Sequence, residues 1–202
     1  MASSGLQLLG YFLSLIGLAA TVAATLMVQW KKQYQGKTYR IYDGLWMSCG
    51  GDERTTCEFH QYLLKLPSEV QATRAVMLVS IFLSSVALMV STVGMKCTRF
   101  MDGKAEAKST VAMIGGIMFV IAGLLTITMT SLYVKMIVQI SYESHSLQSA
   151  EFGNAVFVSW AGGFFTAAGG AFLSCRRCSK AQNGSISSNH LLPTTHPKSN
   201  YV

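Results

Sequence analysis

Four stretches of this chain, 6–28, 75–95, 109–134 and 152–175, contain no Asp, Glu, Lys, Arg, His or Pro. They hold 23, 21, 26 and 24 residues, and an α-helix crosses a hydrocarbon core in about 20. A helix satisfies its own backbone N–H and C=O groups, which lipid cannot do for it, so each stretch reads as a transmembrane helix. Nothing outside them is long enough to cover four such helices inside a soluble domain. Composition agrees: 12% of the 202 residues are charged, against about 25% in soluble domains. The first stretch exceeds the roughly 7–15 apolar residues of a signal peptide, and no Lys or Arg precedes it. It reads as a helix of the mature protein.

Four spans place both termini on one side of the membrane. Lys96, Arg99, Lys104 and Lys108 crowd the short loop 96–108, and Arg176, Arg177 and Lys180 open the tail. Such clusters mark the cytoplasmic side. The long loop 29–74 carries seven cations, but at lower density. Its cysteines bear on the question more directly. Cys49 and Cys57 enclose seven residues that include Gly50-Gly51, a spacing that suits two strands clamped near a tight turn. A disulfide needs an oxidising compartment, so loops 29–74 and 135–151 are read as extracellular and both termini as cytoplasmic. Cys97, Cys175 and Cys178 sit at the opposite helix ends beside basic residues. They are read either as palmitoylation sites or as inert thiols. Cys175 and Cys178 have no matching Cys or His pair, so no metal site is expected.

The formal net charge of +7 divides along these lines. The inner loop carries +4 and −2, the tail +4, and the two outer loops together +8 and −7. The inner charges suit an anionic leaflet and the outer surface is near neutral, so lipid rather than nucleic acid is the partner implied. No charge lies within a span, which argues against transport through the bundle. The four histidines (His60, His145, His190, His196) are scattered, and no catalytic constellation forms, so no enzyme and no cofactor is expected.

The expected fold is a membrane α+β protein, a four-transmembrane-helix bundle with a small extracellular antiparallel β-sheet. Gly10 and Gly17, Gly116 and Gly123, and Gly162 and Gly169 (with Gly163 and Gly170 beside them) recur two turns apart, marking faces where helices approach closely. Residues 30–35 and 37–43 flank Gly36, and 45–49 and 55–60 flank the Gly-Gly pair, with strand-forming composition. A sheet so small is marginal alone and should rest on the helix ends. Ser68 can cap the second helix, which would place Arg74 on an exposed turn or as a snorkelling interfacial side chain. Residues 1–178 form the tetraspan domain. The polar tail 179–202, with Pro193 and Pro197, is expected to be disordered, and its last residues, Tyr201 and Val202, can add to a sheet edge with Val202 in a pocket.

Trp30, then Gly44-Leu45-Trp46, then Cys49 and Cys57, in the first loop of a four-span chain, resemble the claudin signature. The pattern is shared with the peripheral myelin proteins, epithelial membrane proteins and calcium-channel gamma subunits. Gly94-Met95-Lys96-Cys97-Thr98-Arg99, Ala112-Met113-Ile114-Gly115-Gly116, Arg74 before the second helix and the terminal Tyr201-Val202 resemble claudins proper. The segment from Trp30 to Gly44 is shorter than is common there, and Ser141-Tyr142-Glu143-Ser144 replaces the usual aromatic pair of the second loop.

The resemblance implies a sheet drawn from both outer loops and a structural role at tight junctions of the plasma membrane. Such a protein polymerises with itself and other claudins, in cis and in trans, for cell adhesion and a paracellular barrier or charge-selective pore. PDZ scaffolds of the zonula occludens type are the implied cytoplasmic partners. Glu58, just after the second cysteine, stands where cation-selective relatives often carry an acid. It is read as a solvated strand residue or as a carboxylate lining a narrow path with a modest cation preference, opposed by Lys31, Lys32, Lys37 and Arg40. The rival role is a channel- or receptor-associated tetraspan with little strand-forming activity.

Overall fold

A computed structural model describes residues 2–35, 39–51, 56–60, 67–94, 105–143 and 148–187. In chain order the elements are α1 (Ala2–Leu26), β1 (Lys31–Gln35), β2 (Tyr39–Asp43), β3 (Met47–Gly51), β4 (Thr56–Phe59), α2 (Ser68–Gly94), α3 (Ala105–Glu143), β5 (Gln148–Phe152) and α4 (Asn154–Ser187). All four helices are long and apolar enough to cross a membrane, over Gly5–Leu26, Ser68–Gly94, Thr110–Gln139 and Asn154–Ser174.

The glycine faces assign the neighbours. A Cβ on Gly10 would come within 2.9 Å of the Gly169 carbonyl, and one on Gly17 within 2.7 Å of the Gly162 carbonyl. A Cβ on Gly123 would meet the Gly163 carbonyl at 2.6 Å, and one on Gly116 the Gly170 carbonyl at 2.8 Å. Gly162 and Gly169 therefore seat α1, while their sequence neighbours Gly163 and Gly170 seat α3, so one helix is gripped on two sides. The second helix packs chiefly on α3. Here hydroxyls join the helices: Ser80 Oγ donates to the Ala122 carbonyl (2.9 Å) and lies 2.7 Å from Thr126 Oγ1. Thr130 Oγ1 and Ser159 Oγ, 2.7 Å apart, tie α3 to α4. In lipid, apolar burial cannot drive helix association, so close backbone approach and such hydroxyl pairs take its place.

All strands pair antiparallel in the order β4-β3-β2-β1-β5. The fifth strand comes from the second loop and pairs with β1, from Lys31 opposite Phe152 to Gln35 opposite Gln148. The backbone then turns tightly: Gly153 N–H donates to the Trp30 carbonyl (3.1 Å) and Ala155 N–H to the Gln29 carbonyl (3.1 Å). A Cβ on Gly153 would collide with the Gln29 carbonyl, so no larger residue fits there. The sheet does stand on the helix ends. Trp30, Leu45, Ala24, Met77, Tyr133, Ile137, Ala155 and Val156 form one buried cluster drawn from all four helices and the sheet base.

Several boundaries differ from the sequence reading. Gly50 and Gly51 are not a turn; they close β3, opposite Ile41 and Arg40 of β2. A Cβ on Gly50 would lie 3.1 Å from the Tyr39 hydroxyl, so glycine leaves room for that ring. Residues 135–143, expected as loop, continue α3, because no Gly or Pro interrupts 124–152 and Tyr133 and Ile137, four residues apart, bury one face under the sheet. Likewise 179–187, expected to be disordered, continue α4. Gly184 costs a helix only about 1 kcal/mol, and no proline lies between 154 and 192. The second helix begins at Ser68 as expected, with Gln71 N–H donating to the Pro67 carbonyl (3.3 Å).

Candidate functional site

The signature residues form the footing between sheet and bundle. Trp30 is fully buried, its Nε1 donating to the Ala24 carbonyl at the end of α1 (2.9 Å) and its ring edge-on to Tyr133, with centroids 5.3 Å apart. Gly44 lies against the chain leaving α1, where a Cβ would come within 2.7 Å of Val28 Cα. Leu45 is fully buried beside it, and Trp46 packs on the edge of the same cluster.

Arg74 is not on an exposed turn. Only 5% of its surface is exposed, and its Cζ lies 5.2 Å from the centroid of the Trp46 ring. Its Nε and Nη2, and Trp46 Nε1, are buried with no hydrogen-bond partner among the described residues. The indole face is thus the contact that accommodates the guanidinium, and a desolvated cation gains up to about 2 kcal/mol from such a face. Burial of this arginine follows from α2 starting early and passing under the 44–46 turn, which no local pattern announces.

Above the footing, Cys49 and Cys57 stand directly opposite in β3 and β4 and are joined by a disulfide, Cα–Cα 4.0 Å. One rung away, the register aligns four polar residues across the sheet. Glu58 pairs with Ser48, Ser48 with Asp43, and Asp43 with Lys31. Residues directly opposite in an antiparallel ladder project from the same face, so these side chains share one face. Ser48 Oγ donates to Asp43 Oδ1 (2.5 Å), holding that carboxylate in the row. With strands about 4.8 Å apart, Glu58 and Asp43 lie about 10 Å apart, two strands removed.

The alternation divides the cations that the sequence reading pooled. Lys32 pairs with Tyr42 and Glu151, and Tyr42 with Cys49, on the disulfide face; Arg40, two residues from Tyr42, shares it. Lys31 shares the face of Glu58. Lys37 lies outside the described residues. The Glu58 face therefore carries two acids and one base among the described residues. The sequence reading singled out Glu58 without Asp43 and Ser48, because only the pairing register brings them into one row.

Of the remaining site residues, Cys97, Tyr201 and Val202 lie outside the described residues, and Cys175 and Cys178 are three residues apart along α4. The sequence matches the PMP-22/EMP/MP20/Claudin family over residues 4–173. Claudin-19 of Mus musculus is 43% identical over 184 residues, covering 87% of this chain and 82% of that protein. Claudin-1 of Rattus norvegicus is 42% identical, covering 87% of each chain. Claudin-7 of Homo sapiens is 38% identical over 209 residues, covering 99% of this chain and 97% of that protein.

Proposed function

This chain belongs to the PMP-22/EMP/MP20/Claudin family, and from that membership we propose how its geometry acts. Its function is claudin-like: a structural, multi-pass membrane protein of tight junctions that associates with itself and other claudins. The rival role as a channel or receptor subunit is not favoured, since these relatives are claudins.

In our reading the sheet faces the intercellular space and both termini face the cytoplasm. The Cys49–Cys57 bond and the dense cations of 96–108 support that orientation. Protomers side by side turn their sheets into the wall of a narrow aqueous path, and the Glu58 face lines it. Carboxylates in such a path attract cations and are screened less than on an open surface. The carrying observation is the row Glu58–Ser48–Asp43–Lys31, two acids against one base on one face. In the cytoplasm, Tyr201 and Val202 dock on PDZ scaffolds of the zonula occludens type. Palmitoylation of Cys97, Cys175 and Cys178 holds the inner helix ends to lipid.

Dilution potentials across epithelial monolayers test the charge reading. Native protein should pass sodium in preference to chloride, and Glu58→Gln and Asp43→Asn should each lower that ratio. Equal ratios for native protein and both variants would remove this face from ion selection.

A further inference from the structure

The β3–β4 ladder does not end with β4. His60 N–H donates to the Trp46 carbonyl (3.2 Å), one rung beyond the pairing of Phe59 with Met47. His60 therefore keeps the strand's alternation, and the period of two places its imidazole on the same face as Glu58. Two residues of strand span about 7 Å, inside the Debye length of about 8 Å at physiological ionic strength. From this juxtaposition we infer that His60 is a proton-operated specificity residue: protonated, it offsets Glu58 and abolishes the cation preference of this face.

The inference rests on the proposed role of Glu58. Histidine is the side-chain type whose charge changes in the physiological pH range, whereas carboxylates, lysines and arginines ordinarily keep theirs there. The other charged groups near this face among the described residues are a carboxylate, a lysine and an arginine. Asp43 lies two strands away, Lys31 three, and Arg74 of α2 sits beneath the Trp46 ring. Lys65 lies outside the described residues. Any substitution except proline keeps the rung to Trp46, because the donor is the backbone N–H, so the imidazole can be removed without opening the ladder.

Neutral, His60 leaves Glu58 acting alone; protonated, it sets a positive charge on the same face about 7 Å away. Dilution potentials are read at pH 7.5 and 5.5 for the native protein, His60→Gln, His60→Lys and Glu58→Gln, after surface labelling shows each at cell contacts. The native sodium-to-chloride ratio should fall on acidification to the value of Glu58→Gln at pH 7.5. His60→Gln should keep the neutral ratio at both values, and His60→Lys should show the acid ratio at both. If Glu58→Gln equals the native protein at pH 7.5, the carboxylate reading falls and the switch with it. If Glu58→Gln lowers the ratio but His60→Gln retains the acid response, or no response occurs, the switch alone is overturned.

Discussion

Replacing Gly123 by alanine sets helix propensity against helix packing, and the two predict opposite signs. In an isolated helix the change stabilises by about 1 kcal/mol. In the bundle the new methyl would stand 2.6 Å from the Gly163 carbonyl, 2.7 Å from the Ala167 backbone nitrogen and 2.9 Å from the Ala167 Cβ. Two of these are backbone atoms of α4, so no rotamer change relieves the clash. Reaching ordinary contact at 3.4 Å requires α3 and α4 to part by about 0.8 Å (3.4 less 2.6). A gap of that size forfeits a quarter to a half of each dispersion contact nearby, and it strains the Thr130–Ser159 hydroxyl pair, now 2.7 Å. Overpacking of this kind costs about 1–3 kcal/mol. Because the obstacle is backbone, the upper part of that range applies, and a net loss of about 2 kcal/mol remains after the propensity gain. Gly5→Ala is the control, since a Cβ there meets nothing within 4 Å. The assay is unfolding of the purified protein in mixed micelles by SDS titration, followed by circular dichroism. Trp160, whose Nε1 donates to Ser131 Oγ across the same helix pair (3.3 Å), provides a fluorescence report. If Gly123→Ala is as stable as the native protein, or more so, the close α3–α4 approach is not what holds the bundle.

Lys31→Gln should raise the sodium-to-chloride ratio, because it removes the base from the Glu58 row, while Lys32→Gln on the disulfide face leaves it unchanged; dilution potentials separate the two. Trp46→Phe should be tolerated within about 1 kcal/mol, since the lost Nε1 has no hydrogen-bond partner among the described residues. Trp46→Ala strips the cover from Arg74 and should cost about 3 kcal/mol, read by the same SDS titration. Cys49→Ser unclamps β3 from β4, with a loss of about 2–3 kcal/mol, so surface biotinylation should detect less protein at the plasma membrane.

Much of the site was legible in sequence, and the parts that were share a physical character. Trp30, Gly44, Leu45 and Trp46 could be singled out as a motif, and the Cys49–Cys57 pair needs only a short spacing and a hairpin. The motif did not reveal that Arg74 lies under Trp46, because that contact joins residues separated by a strand pair and two turns of helix. Glu58 was recognisable, yet its row was not. A one-residue slip of any ladder would move Asp43 or Lys31 to the other face, and no local periodicity encodes which residue of β2 meets which residue of β3.

The sequence by itself determined that this is a four-span membrane protein with a clamped hairpin. Crossing lipid demands an uninterrupted apolar length, and that is a property of consecutive residues. It also marked the glycine faces, since helical spacing is local. Tertiary structure alone decided what those faces touch, with Gly162 and Gly169 meeting α1 and Gly163 and Gly170 meeting α3. It likewise decided that α3 continues under the sheet and that β5, more than a hundred residues from β1, completes it. Which charges share a face is a matter of register, and register is set where distant strands meet rather than along any one of them.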